Sequence, residues 1–184
     1  MKIWDLQEEV NIYEHLTLVD GSIEKWNEFT DMFRGKHLSS NWEKLKLKLI
    51  EHGEKLKKGD MPYLSPGVPV FSIKAISTLQ QYLNNNAETL DIECDIGNYK
   101  IINIINVMSC LDHERSEIKY YPNSQRIMRI KKYVFNKEKV KNEHIFKIIE
   151  QPRATIFVSD EFRNKVIESG LEGFKFVEVW DSEV

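Results

Sequence analysis

The leucines of WEKLKLKLIE alternate with lysines, and this spacing decides between two interpretations of the segment. Leu45, Leu47 and Leu49 share one face only in an extended chain, because successive side chains of a strand point to opposite faces. A basic amphipathic helix, suited to a membrane or nucleic-acid surface, needs apolar residues three and four positions apart. The alternation therefore predicts a half-exposed strand with its lysines in solvent.

Helical spacing is found in three other segments, each preceded by a serine that can cap the first turn. In SIEKWNEFTDMFRG the cap is Ser22, Gly35 ends the helix, and the apolar face comprises Ile23, Trp26, Phe29 and Phe33. VFSIKAISTLQQYL and IFVSDEFRNKVIESG share a second plan, in which a short apolar stretch leads into Ser72 or Ser159 and then a helix. The buried face of the last helix is predicted to hold Phe162, Val166 and Ile167.

Strands are predicted after both of these helices, at residues 99–107 and 174–180, and also in NIYEHLTLVD and QRIMRIKKYVF. YKIINIINV is almost wholly apolar and is expected to be a central strand buried on both faces, where Asn103 and Asn106 either tie the fold or line a site. EHIFKIIE fits a strand or a short helix. GDMPYLSPGVPVFS has three prolines and is expected to be an ordered connection packed through Tyr63, Leu64 and Val68.

The two strand–helix–strand units that begin before Ser72 and Ser159 predict a mixed α/β arrangement, in which helices cover a sheet. The 184 residues and the lack of a visible linker indicate a single domain over 1–184, of which residues 1–40 are the least well defined. No segment has the length and hydrophobicity of a signal peptide or a membrane span, so we expect a cytoplasmic protein. Cys94 and Cys110 are expected to be reduced thiols.

The net charge of −3 conceals a strongly uneven distribution. Residues 36–58 carry seven lysines and three glutamates, a net +4, and residues 119–141 carry eight cations and one glutamate, a net +7. The other three stretches together hold −3 − 4 − 7 = −14. The chain therefore has two basic segments within an acidic remainder.

Residues 111–117, LDHERSE, are the one place where a histidine lies among carboxylates. Asp112 and His113 could act as a base and its orienter and Ser116 as a nucleophile, which would make the chain a small hydrolase. Adjacent residues of a strand diverge, however, and no phosphate-loop, dinucleotide, zinc-protease or serine-hydrolase motif occurs, so no metal or cofactor is predicted. The structural interpretation is a strand end in which Asp112 caps a turn and Arg115 pairs with Glu114 or Glu117.

The basic segment after this loop combines cations with Tyr120, Tyr121, Tyr133 and Phe135. Such a mixture suits single-stranded nucleic acid, through phosphate neutralisation and base stacking. The candidate residues for that alternative are Arg126, Arg129, Lys131 and Lys132. A pI near 6.0 argues against it, because nucleic-acid-binding domains are usually basic overall, and an acidic protein partner fits the same segment.

The order of several segments resembles one bacterial family, the immunity proteins of polymorphic toxin systems, first described as a domain of unknown function. GDMPYLSPGVPVFS is followed by an apolar strand and a D-x-x-x-S-E element, formed here by Asp112, Ser116 and Glu117. IFVSDEF and a G-x-x-G-F element, formed by Gly170, Gly173 and Phe174, come later. The resemblance spans residues 42–180, and residues 1–40 carry little of it.

This resemblance implies a non-enzymatic protein without a cofactor, which binds and neutralises a toxin encoded nearby. With the resemblance included, the expected fold is α+β, with a mixed, largely antiparallel sheet and a few helices packed on it. It carries over no catalytic residues. In this interpretation residues 111–117 organise the fold or contact the partner, and we predict Asp112, Glu114, Arg115 and Glu117 as partner-binding residues.

Overall fold

The computed structural model describes residues 1–51 and 55–183, so residues 52–54 of the first basic segment and residue 184 lie outside the described residues. Within that part of the chain, four α-helices and twelve strands form an α+β fold. The helices are α1 (Ile23–Met32), α2 (Ile73–Leu83), α3 (Lys137–Val140) and α4 (Asp160–Glu168), and a 3-10 turn lies at Ser39–Asn41. The strands are β1 (Lys2–Glu8), β2 (Leu16–Leu18), β3 (Leu45–Leu49), β4 (Val70–Ser72), β5 (Ala87–Cys94), β6 (Tyr99–Ile104), β7 (Val107–Met108), β8 (Glu117–Tyr120), β9 (Ile127–Lys132), β10 (Ile145–Ile148), β11 (Phe157–Ser159) and β12 (Phe174–Asp181).

The strands form three sheets, which corrects the prediction of a single mixed sheet. The first sheet has the order β12-β1-β11-β10-β7, the second has the order β2-β3-β5-β6-β4, and β8 and β9 pair only with each other. The pairings are antiparallel except β10 with β7 and β3 with β5, so the prediction of a largely antiparallel arrangement is correct. Periodicity identifies a strand but not its neighbour, and for this reason it could not divide the strands among sheets.

Strand β6 separates two apolar cores, which explains its nearly continuous hydrophobicity. Tyr99 and Ile101 pack into the core that also contains Leu90. Ile102 and Ile104 point to the other face and pack into a different core. The prediction of a strand buried on both faces is therefore confirmed, although β6 lies between β5 and β4 rather than in the middle of its sheet.

Both asparagines of that region make hydrogen bonds to the surrounding fold. Asn103 Nδ2 donates to the carbonyl oxygen of Lys36 at 2.8 Å and to Glu88 Oε2 at 3.0 Å. Asn106 Nδ2 donates to Glu143 Oε2 at 2.8 Å. Of the two alternatives, these contacts favour structural ties over groups that line a site.

The three predicted serine caps are confirmed. The hydroxyls of Ser22, Ser72 and Ser159 each accept a hydrogen bond from the backbone N–H three residues later.

Two predicted core positions on these helices are wrong, since Ile23 is 80% exposed and Ile167 is 54% exposed. Both are at helix ends, where the apolar spacing continues although no neighbouring element covers the side chain.

EHIFKIIE contains a strand, β10, and WEKLKLKLIE contains β3, in which Leu47 is buried but Leu49 is exposed. The proline-rich connection is ordered, with Leu64 and Val68 buried. Cys94 and Cys110 are not joined by a disulfide. Strands β1 and β5 were not among the predicted elements, although the alternation of Leu90 and Ile92 with polar residues in β5 is a strand signal.

A third apolar core joins the two-stranded sheet to the first sheet. It is built on Phe135, Phe146 and Phe157, whose rings pack against one another with centroids 5.2 to 5.9 Å apart. Ile118 of β8 and Ile130 of β9 pack against this core. One face of the β8–β9 pair is therefore fixed to the fold, and the opposite face is turned outward.

Candidate functional site

Residues 111–117, which we call the charged loop, turn the chain from β7 into β8. Asp112 Oδ1 accepts hydrogen bonds from the backbone N–H groups of Glu114 and Arg115, both at 3.1 Å. Asp112 Oδ2 accepts from Arg115 Nε at 2.7 Å. The side-chain bond from Arg115, followed by its backbone bond, lowers the pKa of Asp112. The predicted turn cap is confirmed, whereas the predicted pairing of Arg115 with Glu114 or Glu117 is wrong, because Asp112 itself takes the guanidinium.

The three side chains of the hydrolase hypothesis do not converge. His113 Nε2 lies 2.6 Å from Glu150 Oε1, and the Glu150 side chain is only 5% exposed. Ser116 Oγ is 3.0 Å from the backbone nitrogen of Val134 and 3.3 Å from its carbonyl oxygen. The serine hydroxyl is thus occupied by the backbone and the imidazole faces a different carboxylate, so the loop lacks the contacts of a nucleophile and its base.

Glu150 is the residue at this site that the sequence analysis missed. It follows β10 and lies 37 positions after His113, so no local spacing connects the two. Its Oε2 atom is buried and has no hydrogen-bond partner among the described residues. Burial raises the pKa of the neighbouring thiol of Cys110 to about 12, and the charge of Glu150 adds to this effect. Cys110 is therefore an inert thiol rather than a nucleophile.

The four candidate residues of the nucleic-acid alternative lie next to the charged loop. Arg129, Lys131 and Lys132 belong to β9, and Arg126 lies in the turn that precedes it. Lys131 pairs with Glu117, and this side-chain hydrogen bond lowers the pKa of the Glu117 carboxyl. The structure therefore brings the two sets of candidate residues, predicted as alternatives, onto one continuous surface.

Residues 117–132, which we call the basic hairpin, expose both cations and aromatic rings. Tyr120 is 42% exposed and Tyr121 is 43% exposed. The guanidinium carbon of Arg126 lies 5.3 Å from the centroid of the Tyr121 ring, which is the distance of a cation–π contact. Among the described residues, no carboxylate forms an ion pair with Arg126, Arg129 or Lys132.

A cleft of about 350 Å³ lies at the start of α2. Ser72 Oγ donates to Asp60 Oδ1 at 2.6 Å, and Asp60 Oδ2 accepts from the backbone N–H of Glu172 at 3.1 Å and from Lys74 Nζ at 3.4 Å. The residues that line the cleft include no histidine or cysteine. Its polar groups therefore close the start of the helix and do not form an acid–base pair.

In residues 1–51 and 55–183, no group of three or more histidine, cysteine, aspartate or glutamate side chains is arranged to hold a metal ion. No helix in the same ranges is long and apolar enough to cross a membrane.

Comparison with known proteins agrees with a binding rather than a catalytic role. The model of the immunity protein family Imm11 matches residues 81–181, more than half of the chain, including the charged loop and the basic hairpin. A search of curated proteins found no match. Membership of an immunity family implies toxin neutralisation, and such proteins are typically non-catalytic. By this match, the chain belongs to the immunity protein family Imm11.

Proposed function

We propose that this chain neutralises a cognate toxin, encoded beside it, by forming a stoichiometric complex without catalysis. The family match over residues 81–181 carries this proposal. The geometry of the charged loop supports it, because the side chains of Asp112, His113 and Ser116 are bonded to three different partners instead of to one another.

The charged loop, which holds the four residues predicted to bind the partner, is one candidate for the contact with the toxin. Of the four predicted residues, Asp112 and Arg115 hold the turn together, and Glu117 pairs with Lys131. Glu114 is exposed and forms no ion pair among the described residues. Glu114 is therefore the position where a change of charge tests the contact without disturbing the turn.

A growth assay tests the function. The product of the adjacent gene is induced in a bacterial host with and without this chain, and complexes are then recovered from the surviving culture. Rescue together with a one-to-one complex is the expected result. A toxic product that is neither bound nor neutralised by the chain would contradict the proposal.

The contact is tested with the same toxin and two matched variants. Glu114→Lys changes one charge in the loop, and Glu168→Lys makes the same change at an exposed position on α4. If the loop meets the toxin, only the first variant changes the association rate, and the change shrinks as salt is added. Equal rates for wild type and Glu114→Lys would remove the loop from the interface.

Nucleic-acid binding through Arg126, Arg129, Lys131 and Lys132 is the second candidate function. The observation in its favour is the exposure of these cations beside Tyr120 and Tyr121. A titration with single-stranded and duplex oligonucleotides over a range of salt concentrations tests it. Lack of salt-dependent binding to every oligonucleotide would remove this candidate.

A further inference from the structure

We infer that the outward face of the basic hairpin is the main contact with the toxin, and that the toxin surface it binds is acidic. This inference rests on the proposed function and adds to it the location and the chemistry of the interface. Some charges of this region are already paired within the chain, and others are not.

The unpaired charges of the basic hairpin are cationic. Residues 117–132 contain five cations and one anion, Glu117, whose charge is balanced by Lys131. Four cations of the hairpin remain, and none of them forms an ion pair with a described residue: Lys119, Arg126, Arg129 and Lys132. Lys119 lies opposite Arg129 in the strand register, which places two like charges side by side. Like charges directly opposite destabilise a strand pair, and an acidic partner would relieve this repulsion.

The neighbouring charged loop does not offset this positive charge. Asp112 is paired with Arg115, and His113 lies against Glu150. Glu114 is the one carboxylate of the loop without an ion pair in the described structure. The loop looks acidic in the sequence, but its negative charge is mostly neutralised internally, so the combined surface attracts anions.

The basic hairpin also exposes the residue types that anchor protein interfaces. Tyrosine and arginine dominate the binding energy of many complexes because they bury a large area and make polar contacts at the same time. Tyr120 and Tyr121 are both more than 40% exposed, and Arg126 stacks on Tyr121. Ile118 and Ile130 fix the opposite face of the hairpin to the third core. The anchors are thus presented on a preorganised ribbon, which lowers the entropic cost of binding.

A protein partner fits these observations better than nucleic acid. The chain as a whole carries −3, whereas domains that bind nucleic acid are usually basic overall. A folded partner can present a local acidic patch to the hairpin alone. The match to an immunity family provides such a partner in the toxin.

Association kinetics with the toxin recovered from the growth assay test the inference. Arg126→Glu combined with Arg129→Glu is compared with Lys44→Glu combined with Lys48→Glu, which makes the same change in net charge at exposed lysines near β3. At low salt we expect the hairpin variant to associate at least about tenfold more slowly than wild type. The control should stay within about threefold, and the difference should shrink in high salt. Unchanged thermal unfolding confirms that the hairpin variant is folded.

The sign of the Glu114→Lys effect provides a second, independent test. An acidic toxin surface predicts faster association of this variant, whereas a basic surface predicts slower association. If Glu114→Lys associates more slowly than wild type, the inference is overturned and the proposed function is left intact. The same conclusion follows if the hairpin variant and the control variant slow association equally. The inference is also overturned if the hairpin variant loses binding to a single-stranded oligonucleotide but still binds the toxin as tightly as wild type does. A wild-type chain that neither binds nor neutralises the toxin overturns both.

Discussion

The ammonium group of Lys147 donates a hydrogen bond to the carbonyl oxygen of Gly67, 2.9 Å away and 80 positions earlier in the chain. It donates a second bond, also of 2.9 Å, to the carbonyl oxygen of Phe33, just after α1. Lys147 is in β10 of the first sheet and is fully buried. Among the described residues, no carboxylate forms an ion pair with it. This side chain therefore ties the first sheet to two segments that pack beside the second sheet.

Lys147 should make the free energy of unfolding depend on pH in the alkaline range. Burial lowers the pKa of Lys147 to about 8, from 10.5 in the unfolded chain. Between these two values the unfolded chain binds more protons than the folded one, so the free energy of unfolding rises with pH. From pH 7 to pH 9.5 the gain should be about 2 kcal/mol.

Urea unfolding of the wild type and of Lys147→Met at several pH values measures this gain. Methionine keeps most of the aliphatic length and does not titrate, so all other groups should contribute equally to both proteins. The stability of the wild type relative to the variant should increase as the pH rises above about 8. A difference that stays constant from pH 7 to pH 9.5 would show that the ammonium group is not desolvated.

Glu88 should contribute stability that is lost in acid. Burial alone would raise the pKa of this carboxyl, but hydrogen bonds from Leu38, Ser39, Asn103 and His37 lower it to about 2. Because the folded pKa is below the usual 4.5, the stabilisation is present above pH 4.5 and disappears as the pH falls toward 2. We expect Glu88→Gln to cost about 2 kcal/mol at pH 6 and much less near pH 3.

Glu93→Gln is the matched control for this prediction. Glu93 is on the same strand, β5, but it is exposed and faces Lys46 at 3.4 Å. Such surface pairs contribute less than about 1 kcal/mol. Chemical denaturation of both variants at pH 6 and pH 3 should therefore separate them more widely at the higher pH. Similar losses for the two variants at pH 6 would contradict the role assigned to Glu88.

The helix-capping serines should differ in their contribution to stability. The Ser22 hydroxyl accepts one bond, from Lys25 N at 3.3 Å, at an exposed helix end. The Ser72 hydroxyl accepts from Ala75 N and also donates to Asp60, and the Ser159 hydroxyl accepts from Phe162 N and also lies 2.9 Å from His144 Nδ1. Substitution by alanine should cost about 0.5 to 1 kcal/mol at Ser22 and about 2 kcal/mol at the other two.

Thermal or urea unfolding of the three single variants tests this order. The exposed Ser22→Ala is the internal control, since it removes a cap without a second partner. Equal losses at all three positions would show that the additional contacts of Ser72 and Ser159 contribute nothing.

His113 should be needed for stability but not for neutralisation. Replacing it with alanine leaves the buried carboxylate of Glu150 without its 2.6 Å partner. We expect His113→Ala to lower the free energy of unfolding by about 2 kcal/mol. The same change in a Glu150→Gln background should cost less, because no buried charge is then left unpaired.

Growth rescue by His113→Ala distinguishes this role from catalysis. If the chain acts by binding, the variant should still protect the host at temperatures where it remains folded. Loss of protection by a variant that is folded and still binds the toxin would revive the hydrolase hypothesis.

Many of the local elements, and much of their chemistry, could be predicted from the sequence. The serine caps, the strand of alternating leucines and lysines, and the doubly buried strand β6 all follow from residues a few positions apart. Capping and periodicity depend on near neighbours in the chain, so a single sequence contains this information. The order of its motifs also indicated the immunity family that the comparison with known proteins then showed.

The tertiary structure alone decided how the strands are divided among sheets and which charges are paired. Lys147 reaches Gly67 and Phe33, and His113 reaches Glu150, over separations of 37 to 114 positions. Neither spacing nor composition encodes such a partner, because many folds place the same local elements beside different neighbours. The pairing of Asp112 with Arg115 is local, three positions apart, whereas Glu117 pairs with Lys131 on the next strand. Only the tertiary structure shows that the other cations of the basic hairpin form no ion pair among the described residues.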